Sequence, residues 1–229
     1  MAGNYSTEEN RMKWIDNGGG EFAQAPVGTH PARCVKMIDI GTQRGEYLGQ
    51  VNIRRQCIIG WELPNESIPE GEAKGKPFVV SRFYTASLNE KANLRKDLEN
   101  WRGRTFTAQE LLGFDSQNIL GKPCMVSVIH NDKGKARVSG IMALPKGMNV
   151  PPQINPSVYF TLEEFDDKVF ESLSDGYKKL IAASPEYQSL KDGTAKTGSK
   201  FDDMADDIPF ASCDLGDDVI YRKLRWPLE

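Results

Sequence analysis

Val51–Leu63 reads VNIRRQCIIGWEL. Its odd positions, Val51, Ile53, Cys57, Ile59, Trp61 and Leu63, are apolar apart from Arg55, whereas Asn52, Arg54, Gln56 and Glu62 make the even positions mostly polar. A period of two sends successive side chains to opposite faces, so the stretch predicts a β-strand with one buried face and one wet face. On its N-terminal side, Ala32–Ile40 (ARCVKMIDI) predicts a strand ending at Gly41. On its C-terminal side a polar loop, Pro64–Gly75, leads to Pro77–Thr85 (PFVVSRFYT), dense in the aromatic and β-branched residues that suit a pleated surface.

The period then changes. Ser87-Leu-Asn-Glu90 has the spacing of a capping box, and Leu94, Leu98 and Trp101 follow on one helical face, with Gly103 as a stop. Thr107–Leu112 predicts a short helix with its own T-x-x-E opening. Pro123–His130 and Ala136–Ala143 are strands joined by the hairpin loop Asn131–Lys135. A segment with four prolines, Pro145–Pro156, precedes a third T-x-x-E box at Thr161–Glu164, the apolar face Phe165, Val169, Phe170 and Leu173, and a second helical stretch with Tyr177, Leu180 and Ile181. Three strands, a helix, then two strands is the element order of a five-stranded OB-fold barrel. The expectation is therefore a mainly β chain with α additions: a flexible N-terminal arm at 1–27, an OB barrel at 28–157, a helical extension at 158–187 and a disordered acidic tail at 188–229.

The 229 residues carry a formal charge of −3, and their 39% hydrophobic content excludes collagen-like and wholly disordered classes. That charge is unevenly spread: residues 1–160 hold 20 Lys/Arg against 16 Asp/Glu, and residues 161–229 hold 9 against 16. A mildly basic body with an acidic end points to a nucleic-acid partner as readily as to a plain soluble domain. No apolar run reaches membrane-spanning length, and Met1–Gly20 lacks the apolar core of a secretory signal, so a cytoplasmic protein is expected. Cys34, Cys57, Cys124 and Cys213 form no C-x-x-C pair, and with His30 and His130 as the two histidines a zinc cluster has no compact ligand set.

Phosphate-loop, dinucleotide, nucleophile-elbow and zincin motifs are absent. The acid pairs Asp166-Asp167, Asp202-Asp203 and Asp206-Asp207 read as solvated charge rather than a two-metal centre, and His130 has no visible partner. No catalytic residue, metal or cofactor is expected, and the chain is not read as an enzyme. Binding features are richer. Single-strand binders pair a cationic groove with aromatic faces on which bases stack. Arg54, Arg55, Arg82, Arg102, Arg104, Lys133, Lys135 and Arg137 lie in or beside the elements that would line an OB groove, interleaved with Trp61, Phe83, Tyr84, Trp101 and Phe106. Trp61 and Trp101 sit on apolar faces, where core packing is favoured. Arg82 and Tyr84 share one face of their strand, which is taken as the wet one, and Tyr84 is the preferred stacking residue.

Phe201–Phe210 reads FDDMADDIPF. Its segment Asp206, Asp207, Ile208, Pro209 and Phe210 resembles the acidic tip of bacterial single-stranded DNA-binding proteins, in which an Asp-rich run closes with Ile-Pro-Phe. The body, over Ala32–Gln50, Ile59–Glu66, Phe83–Thr107 and Gly113–His130, resembles phage-encoded single-stranded DNA-binding proteins with an OB core. The resemblance implies sequence-independent coating and protection of single strands during phage replication or recombination in a bacterial host cytoplasm. It implies no cofactor, and a tail that recruits replication or recombination proteins. In the bacterial family the chain ends at that Phe; here residues 211–229 follow it, so Phe210 has no free carboxylate. A homo-oligomer is compatible with the sequence. Two other classes remain open: an OB-like protein-interaction adaptor that binds no nucleic acid, and a metal-dependent nuclease using the Asp pairs.

Overall fold

A computed structural model of the chain describes residues 23–47 and 49–193. The expected strands form; the first two run longer than expected, the next two keep their bounds, and the last ends one residue earlier. β1 spans Gly28–Tyr47, β2 Gln50–Ser67, β3 Pro77–Thr85, β4 Pro123–His130, β5 Ala136–Met142, and a short β6 Val158–Phe160. The sheet order is β3-β2-β1-β4-β5, with β6 added to β1. All ladders are antiparallel except β1–β6, which is parallel.

β1 is the shared strand. Its first part, Gly28 to Arg33, pairs with β4, and from Arg33 to Tyr47 it pairs with β2. The β1–β2 register shifts between Cys34 and Lys36 and again between Asp39 and Gly41. Such irregularities bend a strand and increase its twist, which lets one strand serve two halves of a curled sheet. β3 and β5 come together at the far edges, where Arg82 Nη1 donates to the Ser139 carbonyl at 3.4 Å. Among the described residues no backbone ladder joins these two strands, so the sheet is curled but open.

α1 (Asn93–Arg102) lies between β3 and β4 in the chain and buries Leu94, Leu98 and Trp101, the face its spacing predicts. It ends at Gly103, which is left-handed with φ 66°. The Ser87–Glu90 box does not cap it. Ser87 Oγ accepts from Asn89 N in a turn, and the N-cap is Ala92. α2 (Ala108–Leu112) does carry the full reciprocal box between Thr107 and Glu110. The third box is displaced too: Thr161 Oγ1 accepts from Glu164 N, while α3 (Asp167–Ser172) starts later, capped by Asp166. A short 3-10 turn at Ser116–Ile119 closes the connection to β4.

Two apolar clusters result. Inside the curl, Cys34, Ile59, Trp61, Leu63, Val80, Tyr84, Trp101 and Val126 pack together. On the outer face of β1–β2, Ile38, Ile40 and Ile58 are covered by Phe160, Leu162, Phe170, Leu173, Tyr177 and Ile181 from β6, α3 and α4 (Asp175–Ala182). α5 (Pro185–Lys191) follows, its Glu186 carboxylate accepting from Thr42 N at 2.9 Å and Thr42 Oγ1 at 2.5 Å. The even face of β2, expected to be wet, is instead buried: Ile58 lies under the helical extension, Gly60 against Lys36 and Ser81, and Glu62 under the 154–155 segment. Beyond Gln56 and Thr85 the β1–β2 pair continues without β3 as a two-stranded ribbon, which leaves Val51 and Ile53 exposed.

Candidate nucleic-acid interface

The ten body residues singled out above separate into three groups. Two are core. Trp61 is fully buried, edge-on to Trp101 at a centroid distance of 6.2 Å. Tyr84 is 2% exposed and its hydroxyl donates to Asp97 Oδ2 at 2.7 Å. Burial first, and then the Asp97 charge, push the Tyr84 hydroxyl well above its ordinary value. The face of β3 taken as wet is thus the inward one. Phe78, Val80 and Tyr84 fill it, and the half-buried Arg82, between Val80 and Tyr84, is neutralised by Asp97 of α1 at 3.1 Å. Phe83, on the opposite face and 36% exposed, is the aromatic that β3 offers to solvent.

A second group of arginines is spent on internal pairing. Arg55 donates to Asp39 Oδ2 at 2.6 Å and to Glu163 Oε1 at 3.0 Å. Those bonds, Asp39 first, hold its guanidinium firmly charged. Arg102 lies 4.4 Å from the Phe106 ring centroid and is bonded to Glu110, which also receives Arg104 at 2.8 and 2.9 Å. The Arg104 bonds, followed by the Thr107 amide, drive the Glu110 carboxyl far below the usual carboxylate range. A depressed carboxyl contributes stability that is complete above its unfolded pKa of about 4.3 and is lost as pH falls toward the folded value. The stability gap between wild type and Glu110→Gln is therefore expected to be open at neutral pH and to close below about pH 4 in acid-denaturation series. A gap unchanged down to pH 2 would show that the ion pairs do not hold this connection.

The third group remains on accessible elements. Arg54 sits on the ribbon opposite Gln43. Lys133 and Lys135 lie on the β4–β5 hairpin, where Asn131 Oδ1 accepts from both of their backbone amides at 3.1 and 2.9 Å. Arg137 is exposed on β5, opposite Ile129. Sequence reasoning preferred Tyr84 to Phe83 and passed over Arg44 on the ribbon and Lys36 on β1. Period-two alternation places Phe83 opposite Tyr84, but choosing between the two faces required knowing that Asp97 meets Arg82.

Asp206, Asp207, Ile208, Pro209 and Phe210 lie outside the described residues. Asp166 caps α3 through Lys168 N at 2.8 Å, and His130 Nε2 donates to the Ala25 carbonyl at 2.8 Å, so both have structural employment. Among the described residues no group of three or more His, Cys, Asp or Glu side chains could hold a metal ion, and no helix is long and apolar enough to cross a membrane. Cys34, Cys57 and Cys124 are free and buried; burial pushes the Cys34 and Cys57 thiols up to about 12. A cavity of about 270 Å³ opens between α1 and β1, walled by Met37, Leu94, Leu98, Phe114 and Tyr159. No family model matches the chain, and no curated protein matches it.

Proposed function

We propose that this chain is an OB-type single-stranded DNA-binding protein that coats and protects strands without regard to sequence during the replication or recombination of a bacterial virus. Its acidic segment at 206–210 recruits partner proteins in the host cytoplasm. The observation that carries the reading is the strand order β3-β2-β1-β4-β5, with α1 inserted between β3 and β4 and β3 drawn up against β5. This is the arrangement expected of a five-stranded, partly open Greek-key barrel, a fold that binds oligonucleotides on a strand face flanked by loops. Here the outer face of β1–β2 is occupied by the helical extension, so the strand path runs over β3 and β5. Arg54 and Arg44 stand at the ribbon end, Lys133, Lys135 and Arg137 at or beside the β4–β5 hairpin, and Phe83 is exposed on β3. Phosphates meet the cations and bases stack on the ring, with no base-specific contact required.

Both described tryptophans, Trp61 and Trp101, are buried, so an end-labelled oligo-dT read by anisotropy is the suitable assay. Tight binding of single strands, weak binding of duplex and affinity that falls with rising salt are expected. Phe83→Ala should cost about 1–3 kcal/mol of binding, and Arg137→Glu should lower the slope of log affinity against log salt by about one. Folded protein that leaves the anisotropy unchanged at low salt would end this reading and favour the adaptor.

A further inference from the structure

A notch lies between the outer face of the sheet and the start of α4. It is lined by Lys36 and Val79 from the strands, Asn155, and Leu173, Ser174 and Tyr177 from the extension. Ser174 is the N-cap residue of α4, yet its hydroxyl does not cap the helix. The residue is 4% exposed and its Oγ has no hydrogen-bond partner. A buried hydroxyl without a partner is unfavourable, so one carried by a residue that lines a notch marks a place where a polar ligand completes the structure. The first-turn amides of α4 have no intrahelical acceptors, as in any helix, and the helix dipole favours negative charge there.

The cation is supplied across the sheet. Lys36 Nζ stands 5.0 Å from the Tyr177 ring centroid, in the wall of the same notch. Its stem crosses Gly60, where an added Cβ would stand 3.0 Å from both Lys36 Cβ and Ser81 Oγ. The absence of a side chain at that position is what lets the lysine lie flat toward α4. Nearby charges are accounted for: Glu171 is paired with Lys178 at 2.6 Å, Asp175 is exposed to solvent, and Glu62 is saturated by the 154–155 segment. The notch holds about 30 Å³, room for an oxygen or two rather than for a whole anion.

We propose that this notch is a phosphate-binding site, in which one oxygen of a phosphate group enters between Lys36 Nζ, the Ser174 hydroxyl and the first-turn amides of α4. The phosphate is presented by a nucleic-acid backbone crossing β3 or by free phosphate; the first source rests on the single-strand reading above, the second does not. Ser174 is a donor to the phosphate oxygen, and Lys36 supplies the balancing charge.

The test uses the full chain, with inorganic phosphate titrated at constant ionic strength against chloride and followed by proton–nitrogen correlation spectra, in parallel with the oligo-dT anisotropy assay. Saturable shifts at the Ser174–Tyr177 amides, lost in Lys36→Gln, are expected. Ser174→Ala supplies the discriminating readout. It removes an orphan hydroxyl, so the variant should melt no lower than wild type while phosphate affinity falls about tenfold to a hundredfold, the loss of one hydrogen bond to a charged group. A structural cap would instead lower the melting temperature. If oligo-dT affinity falls in parallel, the backbone is the source. If phosphate shifts appear while the wild type ignores oligo-dT, the site stands with free phosphate as its ligand and the single-strand reading falls. If oligo-dT binds but neither probe shifts these amides and Lys36→Gln binds as wild type does, the site is overturned and the single-strand reading survives.

Discussion

Glu62→Ala is expected to lose about 3–5 kcal/mol of folding stability, read as a lower urea midpoint at an unchanged slope. Glu62 has no exposed surface, yet it carries a carboxylate. What makes that tolerable is a full set of donors: Ile154 N at 2.9 Å, Asn155 N at 2.6 Å and Asn155 Nδ2 at 2.7 Å. Arg33, its register partner on β1, holds the preceding stretch, with Nε to the Pro151 carbonyl at 2.7 Å and Nη2 to that of Val150 at 2.9 Å. Together they clamp the proline-rich crossing to the outer face of the sheet. Alanine leaves three donors facing a void, each costing about 1–3 kcal/mol if water cannot reach it. Glu62→Gln keeps the volume and one acceptor and should lose less than half as much. An alanine variant with a wild-type midpoint would show that prolines alone fix the crossing. Because β6 and α3–α5 follow this crossing directly, its release should also loosen their hold on Ile38 and Ile58.

That clamp illustrates what the sequence conceals. Alternation and helical spacing are local, and where the fold depends on them the elements are legible: β3 and β4 run Pro77–Thr85 and Pro123–His130 as expected, and α1 buries Leu94, Leu98 and Trp101. Glu62 at an even position of β2 reads as solvent-facing because nothing near it announces the segment that returns from residue 154. β6 is three residues long, too short to display a period. The expected site suffered from the same blindness. Arg95 and Glu99 pair at i, i+4, a spacing that can be read directly. The partners of Arg55, Arg82, Arg102 and Arg104 lie at separations that carry no signal, so four internally paired cations counted as groove cations. In β3 the two faces are nearly equal in hydrophobicity, and Arg82 tipped the choice. An arginine within an inward row can stay partly buried, between Val80 and Tyr84, once Asp97 neutralises it, and this turns Tyr84 in and Phe83 out. The hairpin positions of Lys133 and Lys135 were legible as accessible ones because turns reach solvent in almost any packing.

The seat of the helical extension yields the second large effect. Gly41 follows the second register shift of β1 and has φ +70°, a left-handed conformation that costs other residues about 1–2 kcal/mol. A Cβ there would also stand 2.6 Å from Ser184 Cβ, 2.7 Å from Ser184 Oγ and 2.8 Å from Leu162 Cδ1. Ser184 cannot easily retreat. It is fully buried, donates to the Ile181 carbonyl at 2.7 Å and accepts from Tyr187 N as the cap of α5. Relieving such overpacking adds about 1–3 kcal/mol, so Gly41→Ala should lose about 2–5 kcal/mol in total. The loss should be unevenly distributed. Moving Ser184 uncaps α5 and withdraws Glu186 from Thr42, whereas the inner cluster around Trp61 touches none of these atoms. Amide exchange should therefore accelerate first across α4, α5 and Thr42, with the β4–β5 ladder protected until global unfolding. Uniform acceleration would mean that the extension and the curled sheet unfold as one unit. A variant with wild-type exchange would mean that Ser184 and Leu162 yield to the added methyl group without dislodging α5.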